Sequence, residues 1–257
     1  MKLVFLGTGT STGVPVIGCK CNVCSSSNPK NKRTRTSIFV EVDGKKLLID
    51  VTPDFRYQAL KNGIEEVDAV LITHSHADHV NGFDDIRQLN FSMNWKIIPV
   101  FINQTSYWEL QSRFDYVFRE LPQLGGGKPM VDVRIIEDYD RFWVKDLEIN
   151  TFLYYHGRLK VNGYRIKDFT YITDVSFIPS RSIEMIEGTR ILVISALRYL
   201  PHATHFTVSE VLNLVKLVKP EIVYLTHMGH EIDYDEISEY LKNTNIFPAY
   251  DGLILEI

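Results

Sequence analysis

The spacing of apolar and polar residues changes several times along the chain, and each change marks an element. Residues 2–6 (KLVFL) are a short apolar run that predicts a first strand, closed by the turn-forming GTGTSTG. Residues 36–42 and 45–50 alternate around Asp43-Gly44, the signal of a hairpin. Pro53 opens a helical stretch through residue 60, consistent with proline in a first helical turn. Residues 69–73 (AVLIT) predict a buried strand, 83–89 a helix, 99–102 a strand and 106–113 another helix. After the glycine-rich segment 121–129 (LPQLGGGKP), strands are expected at 148–155, 164–167 and 170–173. The rest reads as helix 183–187, strand 191–195, amphipathic helix 208–218, strand 221–226, helix 234–242 and a last strand at 253–256. Hairpins followed by alternating strands and helices predict an α/β chain of stacked layers, with helices outside two sheets.

Composition narrows the setting. A chain of 257 residues that is 45% hydrophobic can bury one large core, so residues 1–257 are expected to form a single domain. The net charge of −4 disfavours a nucleic-acid surface. There is no apolar run of the ~18 residues that a membrane span needs, and the N-terminus lacks a signal peptide's apolar core. A cytoplasmic setting is therefore expected. There the three cysteines of GCKCNVC read as metal ligands rather than disulfides.

The strongest chemical signal is HSHADH, directly after the buried strand 69–73. His74, His76, Asp78 and His79 fall within six residues, and three of the chain's eight histidines lie there. In an extended turn His74 and His76 point to one side, while Asp78 and His79 can face a second ion. Two adjacent ions can clamp the oxygens of a displacement reaction. His156 after TFLYY, Asp174 after FTYIT and His227 after IVYLT each end an apolar strand, so all three are presented at the same rim. Imidazole suits zinc, iron, manganese or nickel, and an aspartate oxygen bridges two cations well. Zinc and manganese are both compatible with such a set.

HSHADH, His156, Asp174 and His227, in this order, resemble the ligand series of the metallo-β-lactamase superfamily, over nearly the whole chain. The resemblance implies an αββα sandwich of two mixed sheets flanked by helices, with a dinuclear site at one edge. It implies one ion on His74, His76 and His156, a second on Asp78, His79 and His227, and Asp174 bridging them. Asp78 could also position or deprotonate the water. Asp50, ending KKLLID, matches the family's first acid and is expected to orient a ligand histidine.

Two further features indicate a branch of the family. His205, in PHATHFTVSE, resembles the proton-donating histidine of the phosphodiesterase branch, which includes the tRNA 3′-end processing nuclease. The neighbouring His202 is a weaker match, and Ser195 stands where the nuclease carries an acid. The C-x-C-x-x-C insert at about 18–25 resembles that of phosphoribosyl 1,2-cyclic phosphate phosphodiesterase and of PqqB, whose HxHxDH motif is degraded whereas this one is intact. The resemblance implies a structural zinc on Cys19, Cys21, Cys24 and His230, the last supplied by His227-Met-Gly-His230. Arg87 and Arg198 are candidate phosphate contacts, while the basic run 30–35 reads as a solvated approach to the next strand. The expected function is hydrolysis of a small, cyclic phosphodiester, with metal-activated hydroxide attacking and His205 as general acid. The alternatives are a tRNA-processing nuclease, for which 121–129 is a short arm, and a non-catalytic PqqB-like accessory protein. Family resemblance also implies a homodimer.

Overall fold

A computed structural model describes residues 1–119 and 127–257. Two seven-stranded mixed sheets lie face to face. The first contains β1 (Lys2–Gly7), β2 (Ser37–Val42), β3 (Lys45–Ile49), β4 (Ala69–Leu71), β5 (Ile98–Ile102) and β6 (Val131–Ile135). The second contains β7 (Arg141–Val144), β8 (Leu147–His156), β9 (Leu159–Ile166), β10 (Phe169–Ile172), β11 (Ile191–Ser195), β12 (Ile222–Thr226) and β13 (Ile246–Pro248). The last strand, β14 (Ile254–Glu256), returns to the first sheet and pairs antiparallel with β1, Lys2 opposite Glu256. Each sheet is antiparallel over three pairings and parallel over three. In the first, β3 to β6 run parallel; in the second, β10 to β13 do.

The continuous apolar runs follow from this layering. In β11, Ile191 and Val193 face the other sheet, while Leu192 and Ile194 face the outer helices. In β1 the same division separates Leu3 and Phe5 from Val4 and Leu6. A strand covered on both faces has no polar side, so alternation disappears. The sheets meet through side chains such as Phe101 and Phe142, whose rings stack at 4.2 Å.

The helices are α1 (Asn22–Ser25), α2 (Phe55–Asn62), α3 (Ala77–Val80), α4 (Ile86–Ser92), α5 (Gln104–Arg113), α6 (Asp115–Phe118), α7 (Ser180–Ile186), α8 (Val208–Val218) and α9 (Tyr234–Leu241). In α8, Val208, Val211, Leu214 and Val218 recur at helical spacing and bury against the second sheet. Its start is closed by a reciprocal capping box between Thr207 and Glu210. Among the described residues no helix is long and apolar enough to cross a membrane.

Several elements differ from the sequence expectation. Strands β6, β7 and β13 were not anticipated; β6 is a largely exposed edge strand in which Val131, Val133 and Ile135 alternate with Asp132 and Arg134. Strand β9 begins at Leu159 rather than 164, because Asn162-Gly163 mimics a turn. Glycine is required there: a Cβ on Gly163 would lie 2.3 Å from the Phe152 ring. Helix α2 starts two residues after Pro53, at Phe55. The run 30–35 is not a solvated stretch, since Arg33 is only 2% exposed and Lys30 lies over the Tyr234 and Tyr250 rings. In segment 121–129, residues 121–126, including Gly125 and Gly126, lie outside the described residues, while the Gly127 carbonyl accepts from Arg87.

Replacing Thr207 with alanine removes the cap of α8. It is expected to lower the unfolding free energy by about 1 kcal/mol, read as a shift of the urea midpoint at constant m-value. An unchanged midpoint would show that the box contributes nothing.

Candidate metal centre

The polar cluster forms where strands from both sheets end. Asp50 follows β3, HSHADH follows β4 after Ile72-Thr73, His156 closes β8, Asp174 lies two residues beyond β10, and His227 follows β12. Ligands in open α/β sheets bind at the carboxyl ends of parallel strands, and four of these five segments are such ends. Asp50, Asp174 and His227 all have left-handed backbones, with φ of 64°, 52° and 54°. A non-glycine residue adopts that conformation at a cost of about 1 kcal/mol or more. Here it stops the pleat at the residue that carries the functional side chain.

Two groups of donors face each other across the seam. The rings of His74, His76 and His156 lie 4.6, 5.0 and 5.8 Å apart. Asp78, His79, Asp174 and His227 bring one ligand atom each within 4.8 Å of one another. His79 Nε2 is 2.9 Å from Asp174 Oδ2 and 3.2 Å from Asp78 Oδ2, and His227 Nε2 is 3.1 Å from Asp174 Oδ1. Asp174 also groups with His156 and His205, so its carboxylate is common to both sides.

Hydrogen bonding fixes which nitrogen of each imidazole is free. Asp50 accepts from the Thr73 amide (2.8 Å), the Thr73 hydroxyl (2.8 Å) and His79 Nδ1 (2.7 Å). The Thr73 proton is spent on Asp50, so in the 3.0 Å contact with His74 Nδ1 the imidazole is the donor. His156 Nδ1 donates to the Thr204 carbonyl at 2.7 Å. All three rings therefore hold a proton on Nδ1 and turn Nε2 to the seam. His74 Nε2, His79 Nε2 and both ring nitrogens of His227 are buried without a hydrogen-bond partner. Buried orphan nitrogens are costly unless something else binds them. Lone pairs converging on two carboxylates suit divalent cations.

The electrostatics agree. Burial opposes ionisation of Asp78 and Asp174, but the neighbouring histidines outweigh it and hold both carboxyls below their usual range. Burial likewise opposes charge on His79, yet Asp78, Asp174 and Asp50 raise it well above an ordinary imidazole. The cluster therefore favours positive charge at its centre.

Around this cluster sit the remaining candidates. His205 stacks on His227 (5.2 Å, 22°), lies 4.5 Å from His156, and places Nδ1 3.4 Å from Asp174 Oδ1. It is Thr207, not His205, that caps α8. Ser195 accepts from the Val175 amide at 3.3 Å and supports the turn after Asp174. His202 lies 5.0 Å from His205, exposed, with Nδ1 accepting from the Thr204 amide. Arg198 folds onto the Leu200 and Pro201 carbonyls at 3.1 and 2.8 Å, shaping the loop before His205. Arg87 is engaged by Asp84 and the Gly127 carbonyl, each at 3.3 Å. Sequence reading missed Thr73, whose type gives no signal outside the fold.

A model of the β-lactamase superfamily domain matches residues 45–228. The chain belongs to the metallo-β-lactamase superfamily. Its similarity to a solved diphosphatase of the PhnP family is high: 38% identity, TM-score 0.92, covering 100% of this chain and 96% of that one. An octanoyltransferase of Porphyromonas gingivalis is 38% identical over 98% of this chain but only 51% of its own length, so the chain spans about half of that relative. Zinc-bound PqqB from Methylobacterium extorquens shares the fold at 18% identity, TM-score 0.79 and full coverage of both chains. The superfamily is one of hydrolases, and its fold implies divalent metal ions at this rim.

A second cluster lies on the far side of the His227 turn. His230 Nδ1 is 3.2 Å from Cys19 Sγ and 3.6 Å from Cys21 Sγ and Cys24 Sγ. Three sulfurs around one imidazole nitrogen match a closed tetrahedral zinc set. The Cys24 amide bond lowers the Cys21 thiol to about 7, whereas burial pushes Cys24 up to about 11. Arg33 grips the same turn, donating to the Gly229 and Ile232 carbonyls at 2.9 and 2.8 Å. This superfamily member thus holds the turn that carries His227 from behind.

Two outcomes are expected. Asp78 and Asp174 beside His79 Nε2 favour a proton there in the metal-free site, so ion binding at that nitrogen should release protons and weaken as pH falls. Calorimetry in buffers of different ionisation enthalpy measures this; binding without proton release would contradict it. Separately, Cys21→Ser should lower both zinc content and melting temperature; lower stability at unchanged zinc would exclude a metal clasp.

Proposed function

We propose that this chain is a hydrolase of a small phosphodiester or phosphoanhydride, a cyclic phosphodiester such as phosphoribosyl 1,2-cyclic phosphate being the leading substrate. Two divalent ions, zinc or manganese, would be held by His74, His76 and His156 and by Asp78, His79 and His227, with Asp174 shared. Such ions lower the pKa of a coordinated water and polarise the bond under attack. The observation that carries the phosphoryl reading is the position of His205, stacked on His227 and beside Asp174 at the edge of the donor cluster. The likeness to a diphosphatase over the full chain supports it.

The residues divide the work as follows. Asp50 and Thr73 keep the imidazoles in the tautomers that present Nε2. Asp78 positions the attacking water. In the free site burial pushes His205 down to about 3, against the pull of Asp174, so the imidazole enters the reaction neutral. An anionic phosphoryl group beside it opposes that desolvation and favours the imidazolium. His205 then gives its proton to the departing oxygen. Arg198 lies on the loop that precedes His205, and its charge helps to lower the neighbouring His202 imidazole.

The relative named octanoyltransferase favours a second reading, hydrolysis of an acyl ester or thioester. Both bond types suit a water activated between two ions, but a neutral acyl group, unlike an anionic phosphoryl group, does nothing to favour the His205 imidazolium.

The test is a panel of cyclic ribose phosphate, nucleoside diphosphate, octanoyl thioester and precursor tRNA, run with zinc and with manganese. His205→Ala should retain metal yet lose about 100-fold or more in turnover on an alkyl-leaving-group phosphodiester, and less on a nitrophenyl ester that needs little protonation. Equal turnover of the alkyl ester by wild type and variant would remove His205 from the mechanism. Cleavage of the thioester alone would replace the phosphoryl reading.

A further inference from the structure

Helix α5 makes contacts that its sequence gives no reason to expect. Glu109 and Arg113 are exposed and one turn apart, the spacing of an ordinary, weak surface ion pair. Instead both reach the HSHADH segment. Ser75, buried between His74 and His76, donates its hydroxyl proton to Glu109 Oε2. Arg113 Nη1 donates to the Ser75 carbonyl at 2.9 Å and to Asn81 Oδ1 at 3.2 Å. Asn81 is the C-cap of α3, two residues beyond the motif.

A third anchor comes from the start of the same helix. Asn103 caps α5 through its Oδ1, which accepts from the Ser106 amide at 2.8 Å, while its Nδ2 donates to Asn162 Oδ1 at 2.8 Å. Asn162 lies in β9, and its amide donates to the Thr73 carbonyl at 3.1 Å. One helix therefore fixes the backbone before His74, the residue between His74 and His76, and the residue after Val80. The motif has only one turn of helix of its own, too short to hold itself.

We propose that Glu109 and Arg113 are positioning residues for the metal centre: they splint HSHADH so that His74, His76, Asp78 and His79 stand in ligating geometry before an ion arrives. The inference rests on the metal-centre reading above. Groups behind the ligands commonly change metal affinity 10–100-fold when removed. The Ser75 hydroxyl is the joint through which Glu109 acts, and the Ser75 carbonyl is the joint for Arg113.

The experiment is chelator competition on folded wild type, Glu109→Ala, Glu109→Gln, Ser75→Ala, the Glu109→Ala/Ser75→Ala double variant and Arg113→Ala, with zinc and with manganese. Melting temperatures of the metal-free proteins are measured alongside. Glu109→Ala and Ser75→Ala should each weaken binding about tenfold, and the double variant no further, because both remove one contact. Glu109→Gln should retain most of the affinity, since the amide oxygen still accepts from Ser75. Arg113→Ala should weaken binding to a similar degree. Wild-type affinity in Glu109→Ala and Arg113→Ala, additive losses in the double variant, or lower metal-free melting with unchanged affinity would each overturn the splint. A wild type that holds no metal against the chelator would instead overturn the metal-centre reading.

Discussion

Everything in this molecule is arranged around buried like charge. Asp50, Asp78 and Asp174 lie close together with His74, His79 and His227, nearly all out of contact with water. An ionised carboxylate in such a place costs several kcal/mol unless opposite charge and hydrogen bonds compensate. The protein supplies part of the compensation itself, through Thr73, His79 and the backbone, and leaves a set of unpartnered nitrogens of the kind that suits the divalent ions implied by the fold. The left-handed backbones at Asp50, Asp174 and His227 add to the cost and show how tightly the surrounding sheets determine those positions.

The sheets meet this demand by their direction. Each has a parallel half, and the carboxyl ends of those halves converge on one seam. Neither sheet carries a complete donor set: the first brings HSHADH, the second His156, Asp174 and His227. Packing of side chains such as Phe101 on Phe142 therefore does more than fill space, because it sets the distance between the two half-sites. The cysteine cluster and Arg33 then hold the second sheet's His227 turn against the N-terminal loop.

How much of this was legible in the sequence depended on whether a residue's role is local. HSHADH, and His156, Asp174 and His227 at strand ends, stood out because the ligand types are rare and their strands are continuous apolar runs. Asp50 was legible only through the family resemblance, since an aspartate that ends a strand before Pro53 can equally cap a turn. Thr73, Glu109 and Arg113 were invisible: a threonine closing a strand and a charged pair on a helix surface are ordinary, and only the fold reveals that they touch the motif. Strand β9 was cut short because Gly163 looks like a turn until the Phe152 ring is placed against it. Arg33 was misread as solvated because a basic run carries no mark of the carbonyls it will meet. The strands missed outright, β6, β7 and β13, are outermost strands of the two sheets and only three to five residues long, too short for their apolar positions to set a period.

The pairing of β14 with β1 has a consequence for the molecule's polarity. β1 runs in the same direction as β3, so its first residue lies at the pole opposite the rim, and the antiparallel β14 brings Glu256 to the same place. The Ile257 amide donates to the Met1 carbonyl there at 2.8 Å. Residues 1 and 257 are thus tied to each other at the pole opposite the site, and the donor rim is built without help from either.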